Sequence, residues 1–295
     1  MDITIKARAK INLVLDVIGK REDGYHELRM IMQTVYLHDL LVLKRTDKYP
    51  LKLVCNSALP VDERNLVYKA ALYFKNTYKL TGGLFISLRK NIPISAGLAG
   101  GSSDCAAVIS GINRMYNLGL SLSELMDIAV KFGADVPFCL LGGTVLAEGK
   151  GEIITPLSPH PSVTVVIAKP PMAISTSAVF KAFDSIEHMD GSNINSIVSY
   201  INKQDIKGIA SGFYNVLEEV SKYFCPDIEK IKGLFMESGA IGSLMSGSGP
   251  AVFAYFNDQR QAWLTIKKMR RLMPNVKLFL TGTYNEKIRG EKNEM

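Results

Sequence analysis

An ammonium, a carboxylate, an aromatic–imidazole pair and two loops almost free of side chains are the parts of this sequence that could do chemistry. The ammonium is Lys10, in an otherwise apolar run with Asn12 two residues on. Lysine is costly inside a sheet unless it meets an anion, so Lys10 and Asn12 read as a ligand-facing pair. Lys6 and Arg8 share their alternation, and an exposed strand face would account for those two. The carboxylate is Asp135, between Ala134 and Val136, with Phe132 and Phe138 three residues away on either side. Such an Asp is either a cap or turn residue, or a carboxylate facing a cation and a hydroxyl, and Lys10 is the ammonium that would meet it.

The first loop runs Pro93-Ile94-Ser95-Ala96-Gly97-Leu98-Ala99-Gly100-Gly101-Ser102-Ser103. A strand enters it over residues 83–88, and a small-residue helix leaves it, beginning near Ser103. Glycine lets the backbone approach a ligand, and the unpaired N–H groups of a helix start point at whatever sits on its axis, so this reads as an anion site, with a phosphate chain as the commonest occupant. It is neither a Walker A motif, which would put Lys where Ser102 stands, nor a dinucleotide fingerprint. The plainer reading is a closely packed helix start capped by Ser102 or Ser103. A second cluster, Gly242-Ser243-Leu244-Met245-Ser246-Gly247-Ser248-Gly249-Pro250, links two regular elements with the same poverty of side chains. Just after a polar turn bounded by Gly19 and Gly24, Tyr25-His26 offers a ring that stacks on a base and an imidazole that reaches its edge, although a structural role fits the pair equally well.

The elements that must position these residues follow from hydrophobic periodicity. One long or two short strands are expected over residues 3–18, another over 30–43 and a short one over 51–54. Asn65 is expected to cap a helix ending near Tyr78, and Ser121 with Glu124 forms a capping box. Residues 141–151 read as a hairpin, and the crowd of Pro156, Pro159 and Pro161 marks a domain boundary. Beyond it come a buried strand over 163–168, a helix through Phe180 and Phe183, and short helices within 185–212. Helices over 215–223, 228–238 and 261–273 and strands over 251–256 and 277–282 complete the pattern, before a polar tail. The expected domains are 1–157 and 158–286, with 287–295 as the tail.

With 295 residues, 47% of them hydrophobic, the chain can bury sizeable cores. Cys55, Cys105, Cys139 and Cys225 are far apart and form no C-x-x-C, which suits buried thiols in a reducing compartment. The first residues lack a signal-peptide core and no run is long enough to span a membrane, so a cytoplasmic protein without a membrane partner is expected. The net charge of +7 is scattered, with Lys267-Lys268 and Arg270-Arg271 spaced as a solvated helix face. It suits an anionic small molecule rather than nucleic acid.

The first loop, together with Ala9-Lys10-Ile11-Asn12-Leu13 and Met245-Ser246-Gly247-Ser248-Gly249-Pro250-Ala251, resembles the three motifs of the GHMP kinases, small-molecule kinases without a Walker A sequence. Asp23-Gly24-Tyr25-His26-Glu27-Leu28 and Gly133-Ala134-Asp135-Val136-Pro137-Phe138 resemble the branch of that family whose acceptor is a cytidine-diphosphate-linked methylerythritol. The resemblance implies a two-domain α+β fold. Its N-terminal lobe would be like domain 2 of ribosomal protein S5, with a left-handed crossover where the usual rule expects a right-handed one. Its C-terminal lobe would be a ferredoxin-like α/β sandwich. It also implies ATP with Mg²⁺ as cofactors and a monomer or weak homodimer.

Residue by residue, the resemblance makes Asp135 the group that orients or deprotonates the acceptor hydroxyl, and Lys10 the group that holds Asp135 ionised near the transferring phosphoryl. Tyr25 would stack on the cytosine, with His26 at its polar edge, Phe180 on its other face and Thr176 nearby. Asn12 would bind the erythritol end or its phosphates, Asn65 would lie at the adenine pocket and Ser103 would help hold Mg²⁺. Ser95 and Ala99 replace glycines common in the family, which preserves the loop path provided neither position needs φ > 0. Val216, in Asn215-Val216-Leu217-Glu218, stands where an Asp is frequent. The rival readings are another GHMP kinase, acting on mevalonate, homoserine or a sugar, and an RNA-binding protein using an S5-like lobe.

Overall fold

The computed structural model describes residues 2–186 and 191–285. Two long strands, β1 (Asp2–Lys20) and β2 (His26–Thr46), pair antiparallel along most of their length. The N-terminal apolar run is therefore one strand, with register shifts between Arg8 and Lys10, Asn12 and Val14, and Val17 and Gly19. The first two bracket Lys10-Ile11-Asn12. A bulge breaks the ladder and re-aims side chains, which is why the alternation of Lys6, Arg8 and Lys10 does not give them one environment. Lys6 is exposed, the Arg8 guanidinium lies 3.6 Å from the Tyr284 ring centre, and Lys10 is buried, with 4% of its surface accessible.

β3 (Leu51–Cys55) and β4 (Gly83–Arg89) pair in parallel, joined through α1 (Leu66–Thr77), and β4 lies against β2. Farther along β2, the hairpin β5 (Thr144–Gly149) and β6 (Ile153–Pro156) extends the sheet. α2 (Gly100–Met115) packs on this sheet, burying Cys105, Val108, Ile109, Ile112 and Met115 at helical spacing. α3 (Leu122–Ala129) begins with the expected box between Ser121 and Glu124, and α4 (Asp135–Leu141) follows a 3₁₀ turn. α2 starts three residues before Ser103, and its N-cap is Ala99, which has no side-chain capping bond, so neither Ser102 nor Ser103 is the cap.

A second sheet holds β7 (Thr164–Lys169), β9 (Gly242–Met245), β10 (Val252–Phe256) and β11 (Lys277–Gly282), all antiparallel in the order β11-β7-β10-β9. With α9 (Asp227–Glu237) and α10 (Gln259–Leu272) packed on it, this is the ferredoxin-like lobe. The stretch 185–212 contains α6 (Ile194–Asn202) and α7 (Ile206–Ser211), after α5 (Thr176–Phe183). Two expectations change. Residues 242–245 are strand rather than loop, and the helix expected from 215 begins later, as α8 (Glu218–Phe224). Tyr214–Asn215 forms β8, which pairs in parallel with Val14 and Leu15 of β1. A two-residue strand has no periodicity of its own; only its partner defines it. The proline-rich segment lies between β6 and β7, but β8, far beyond it, belongs to the first sheet, and one core cluster joins Leu15, Met30 and Phe138 to Val166, Leu217 and Val252. The expected tail, 287–295, lies outside the described residues.

Candidate active site

The three regions with chemical promise meet at one place. The backbone N–H of Lys10 donates to the Leu98 carbonyl at 3.2 Å, fixing β1 to the first loop. The N–H of Asn12 donates to the Ser246 hydroxyl at 3.2 Å, and that hydroxyl donates to the Gly97 carbonyl at 2.9 Å. Ala251 N–H donates to the Ala96 carbonyl at 3.3 Å. Contact this close requires glycine: a Cβ on Gly97, itself at φ +75°, would lie 2.0 Å from the Ser246 carbonyl oxygen.

A cavity of about 320 Å³ opens on the first loop, lined by residues 93–101 together with Pro60, Asn65, Lys90 and Asp104. Asn65 caps α1, accepting from Val67 N–H at 2.9 Å and donating to the Pro60 carbonyl at 2.8 Å. Its cap and its place beside the cavity are thus compatible. At the start of α2 no side chain caps the helix, and a Cβ on Gly101 would meet nothing within 4 Å. Both features suit an anion on the helix axis. Ser95 and Ala99 take φ of 52° and 54°, so the condition under which they replace glycine freely is not met. The loop holds two L-residues in the left-handed region, at a cost of about 1–2 kcal/mol each. A larger cavity of about 690 Å³, between Tyr36, Asn91, Phe256 and Thr281, contains none of the candidate reacting groups.

Under the loop, the Lys90 ammonium sits between the carboxylates of Asp39 and Asp104, 2.6 Å from the latter. Asp39 also accepts from the N–H of Ile92 at 2.8 Å, while the second oxygen of Asp104 is buried without a partner. One ammonium cannot neutralise two buried carboxylates, so burial and the Asp39 charge push the Asp104 carboxyl up to about 8 against the pull of Lys90. Sequence reading missed this cluster, because its members lie on separate elements; a lysine just before the loop was the one available signal.

Asp135 is the first residue of α4 and is half-buried. Desolvation raises the thiol of half-buried Cys139 well above its usual range, the Asp135 carboxylate adds to that and the Lys10 ammonium opposes it, so both charges lie near this thiol. They do not form the expected ion pair: Lys10 instead donates to the Asn12 side-chain oxygen. Asn12 is fully buried, its amide nitrogen 3.5 Å from the Met30 sulfur, so in this structure it orients Lys10 rather than facing a ligand.

On the base side, His26 stacks on Phe180 with ring centres 4.7 Å apart, and its Nε2 lies 2.6 Å from Asp184. Lys20 reaches the same carboxylate at 2.6 Å. Tyr25 is 60% exposed, with the Lys150 ammonium 4.4 Å from its ring centre. His26 and Phe180 therefore meet, while Tyr25, next to His26 in the chain, is turned to solvent and Lys150. Asp184 and Lys150 are additional polar groups here that the sequence did not single out. Thr176 lies beside this group and bonds the Ser248 hydroxyl at 2.8 Å.

The described residues hold no group of three or more His, Cys, Asp or Glu side chains able to bind a metal ion. The Ser103 hydroxyl, expected near Mg²⁺, donates to the Arg8 carbonyl at 2.6 Å and lines a separate small chamber with Thr34 and Cys139. No helix among the described residues is long and apolar enough to cross a membrane.

Residues 65–143 match the family model for the GHMP kinases N terminal domain, and residues 197–275 match that for GHMP kinases C terminal. A 4-diphosphocytidyl-2-C-methyl-D-erythritol kinase of Clostridium botulinum (strain Eklund 17B / Type B) is 48% identical over 284 residues, covering 95% of this chain and 100% of the relative. One of Lachnoclostridium phytofermentans is 48% identical over 261 residues, covering 88% and 90%. The crystal structure of a 4-(cytidine 5'-diphospho)-2C-methyl-D-erythritol kinase superposes with a TM-score of 0.83 at 31% identity, covering 96% of this chain and 100% of that one. A homoserine kinase from Cytophaga hutchinsonii, at 20% identity and a TM-score of 0.77, shares the fold.

Proposed function

The chain belongs to the 4-diphosphocytidyl-2-C-methyl-D-erythritol kinases, within the GHMP kinases, and from that membership we propose that it transfers the γ-phosphoryl group of ATP to the 2-hydroxyl of 4-diphosphocytidyl-2-C-methyl-D-erythritol, in non-mevalonate isoprenoid synthesis. The observation that supports this reading is the backbone junction of Lys10 with the first loop and of Asn12 with Ser246, which ties the strand carrying that lysine to the loop that opens α2.

In this reading the nucleotide occupies the 320 Å³ cavity, with Asn65 at its adenine end and the phosphates on Gly100, Gly101 and Ser102 at the start of α2. The acceptor lies across Lys10 and Asp135, its base held by Tyr25, His26 and Phe180. Phosphoryl transfer demands in-line placement and compensation of negative charge more than covalent help. The hydroxyl oxygen forms a bond to the γ-phosphorus as the bond from phosphorus to the β,γ-bridging oxygen breaks; the hydroxyl proton passes to Asp135 and ADP leaves. Lys10, oriented by Asn12, meets the charge spreading over the γ-phosphoryl oxygens. Magnesium belongs to the proposal only as the companion of ATP, held by phosphates and water; no residue of this chain is assigned to it.

The proposal is tested by ADP release with ATP, Mg²⁺ and the acceptor in wild type and in Asp135→Asn. Turnover should fall about 10²- to 10⁴-fold with nucleotide binding kept, the range for losing a general base. A folded Asp135→Asn protein with unchanged turnover would remove Asp135 from the reaction.

A further inference from the structure

The loop at residues 245–248 touches each part of the site. Its Ser246 hydroxyl bonds Asn12 and Gly97, and its Ser248 hydroxyl bonds Thr176 on the base side. The loop is buried and has little side chain with which to hold itself, so neighbours must satisfy its backbone groups. Three residues around the start of α8 do so. Asn215 Nδ2 donates to the carbonyls of Met245 and Gly247, at 2.8 Å each, and its Oδ1 accepts from Leu217 N–H at 3.0 Å. Glu218 accepts from Met245 N–H at 2.8 Å and pairs through its other oxygen with Lys232. The Ser221 hydroxyl donates to the Ser248 carbonyl at 3.2 Å. All three are buried. Asn215 is also the β8 residue paired with Leu15, so the clamp is anchored to the strand that carries Lys10 and Asn12.

We propose that Asn215, Glu218 and Ser221 are positioning residues for phosphoryl transfer: acting through the loop, they set the spacing between the phosphate-binding loop and the Lys10–Asn12 segment. The inference rests on the kinase reading. Val216, between them, is core; the polar work of this segment falls to the residues on either side of it.

The test compares Asn215→Leu, Glu218→Leu and Glu218→Gln with Ile231→Ala, a fully buried α9 residue whose truncation weakens the same lobe. ATP dissociation constants are measured by calorimetry, without acceptor, alongside kcat and KM. Asn215→Leu leaves two buried carbonyls without donors and Glu218→Leu leaves a buried N–H without an acceptor, and each should weaken ATP binding and lower kcat, together by about a hundredfold in kcat/KM. Glu218→Gln keeps an acceptor for Met245 N–H and should recover most of the loss. Ile231→Ala should lower the melting temperature with both constants unchanged. Folded Asn215→Leu and Glu218→Leu proteins with wild-type constants would overturn the proposal, as would an Ile231→Ala protein with the same kinetic defect. Absence of wild-type turnover would count against the kinase reading, whereas the ATP constants would still report on the clamp.

Discussion

Two loops of this protein have nearly the same composition and opposite surroundings. Residues 93–101 lie along an open cavity, and several of them are exposed. Residues 245–250 are buried throughout. In the first loop small residues leave backbone N–H groups accessible to a ligand; in the second they let one backbone lie against another. Gly97 and Gly247 mark the seam, since a Cβ on Gly247 would lie 3.0 Å from the Gly97 carbonyl oxygen. A glycine-rich sequence therefore specifies close approach without specifying what approaches, ligand or protein.

Substitutions on the two sides of that seam should separate. Gly97→Ala has the largest expected effect: the new Cβ would overlap the Ser246 carbonyl at 2.0 Å, at a φ of +75°. The junction of the loops should open, with both stability and activity lost, read by thermal unfolding and by ADP release. Retention of both would mean that the loops are not mutually fitted. Gly101→Ala is the counterpart on the open side. Its Cβ meets nothing, and alanine gains about 1 kcal/mol over glycine within a helix. The variant should melt at a higher temperature yet bind ATP more weakly, because the added methyl would crowd the proposed phosphate position. Unchanged ATP affinity by calorimetry would break the distinction between an open and a packed loop.

A smaller effect concerns Asp104, in the first turns of α2. Its carboxyl is raised from 3.8 to about 8, so the folded state holds a proton that the unfolded state releases over that window. The contribution is complete below the unfolded value and is lost as pH rises toward 8. Melting curves of Asp104→Asn should therefore fall less steeply with rising pH than those of wild type; parallel curves would show that Asp104 does not carry the proton. The smallest effect is that of Ala99→Gly, which relieves left-handed strain at φ 54° while adding freedom to the unfolded chain. A net gain of about 0.5–1 kcal/mol is expected in denaturant unfolding, and a loss would place the strain elsewhere.

Motifs contiguous in the chain are legible from local physics alone. The first loop with its strand and helix, the Asn65 and Ser121 caps, and Lys10, Asn12 and Asp135 as residues needing a polar explanation all follow from it. Relations between distant residues do not. Nothing in the periodicity of β1 reveals that bulges bury Lys10 while leaving Lys6 in solvent, because a register shift depends on the partner strand. Lys10 bonds Asn12 instead of pairing with Asp135, and His26 stacks on Phe180 with Asp184 at its Nε2, an arrangement that joins residues far apart in the chain. Asn215 is hidden for the same reason, its strand being only two residues long.

The most direct measurement is ADP release with ATP and Mg²⁺, comparing 4-diphosphocytidyl-2-C-methyl-D-erythritol with the methylerythritol phosphate that lacks cytidine. Turnover with the cytidylylated acceptor alone is expected if Tyr25, His26 and Phe180 hold the base while Lys10 and Asp135 serve the hydroxyl. Equal turnover with both acceptors would contradict base recognition at that cluster, and turnover with neither would contradict the proposed reaction.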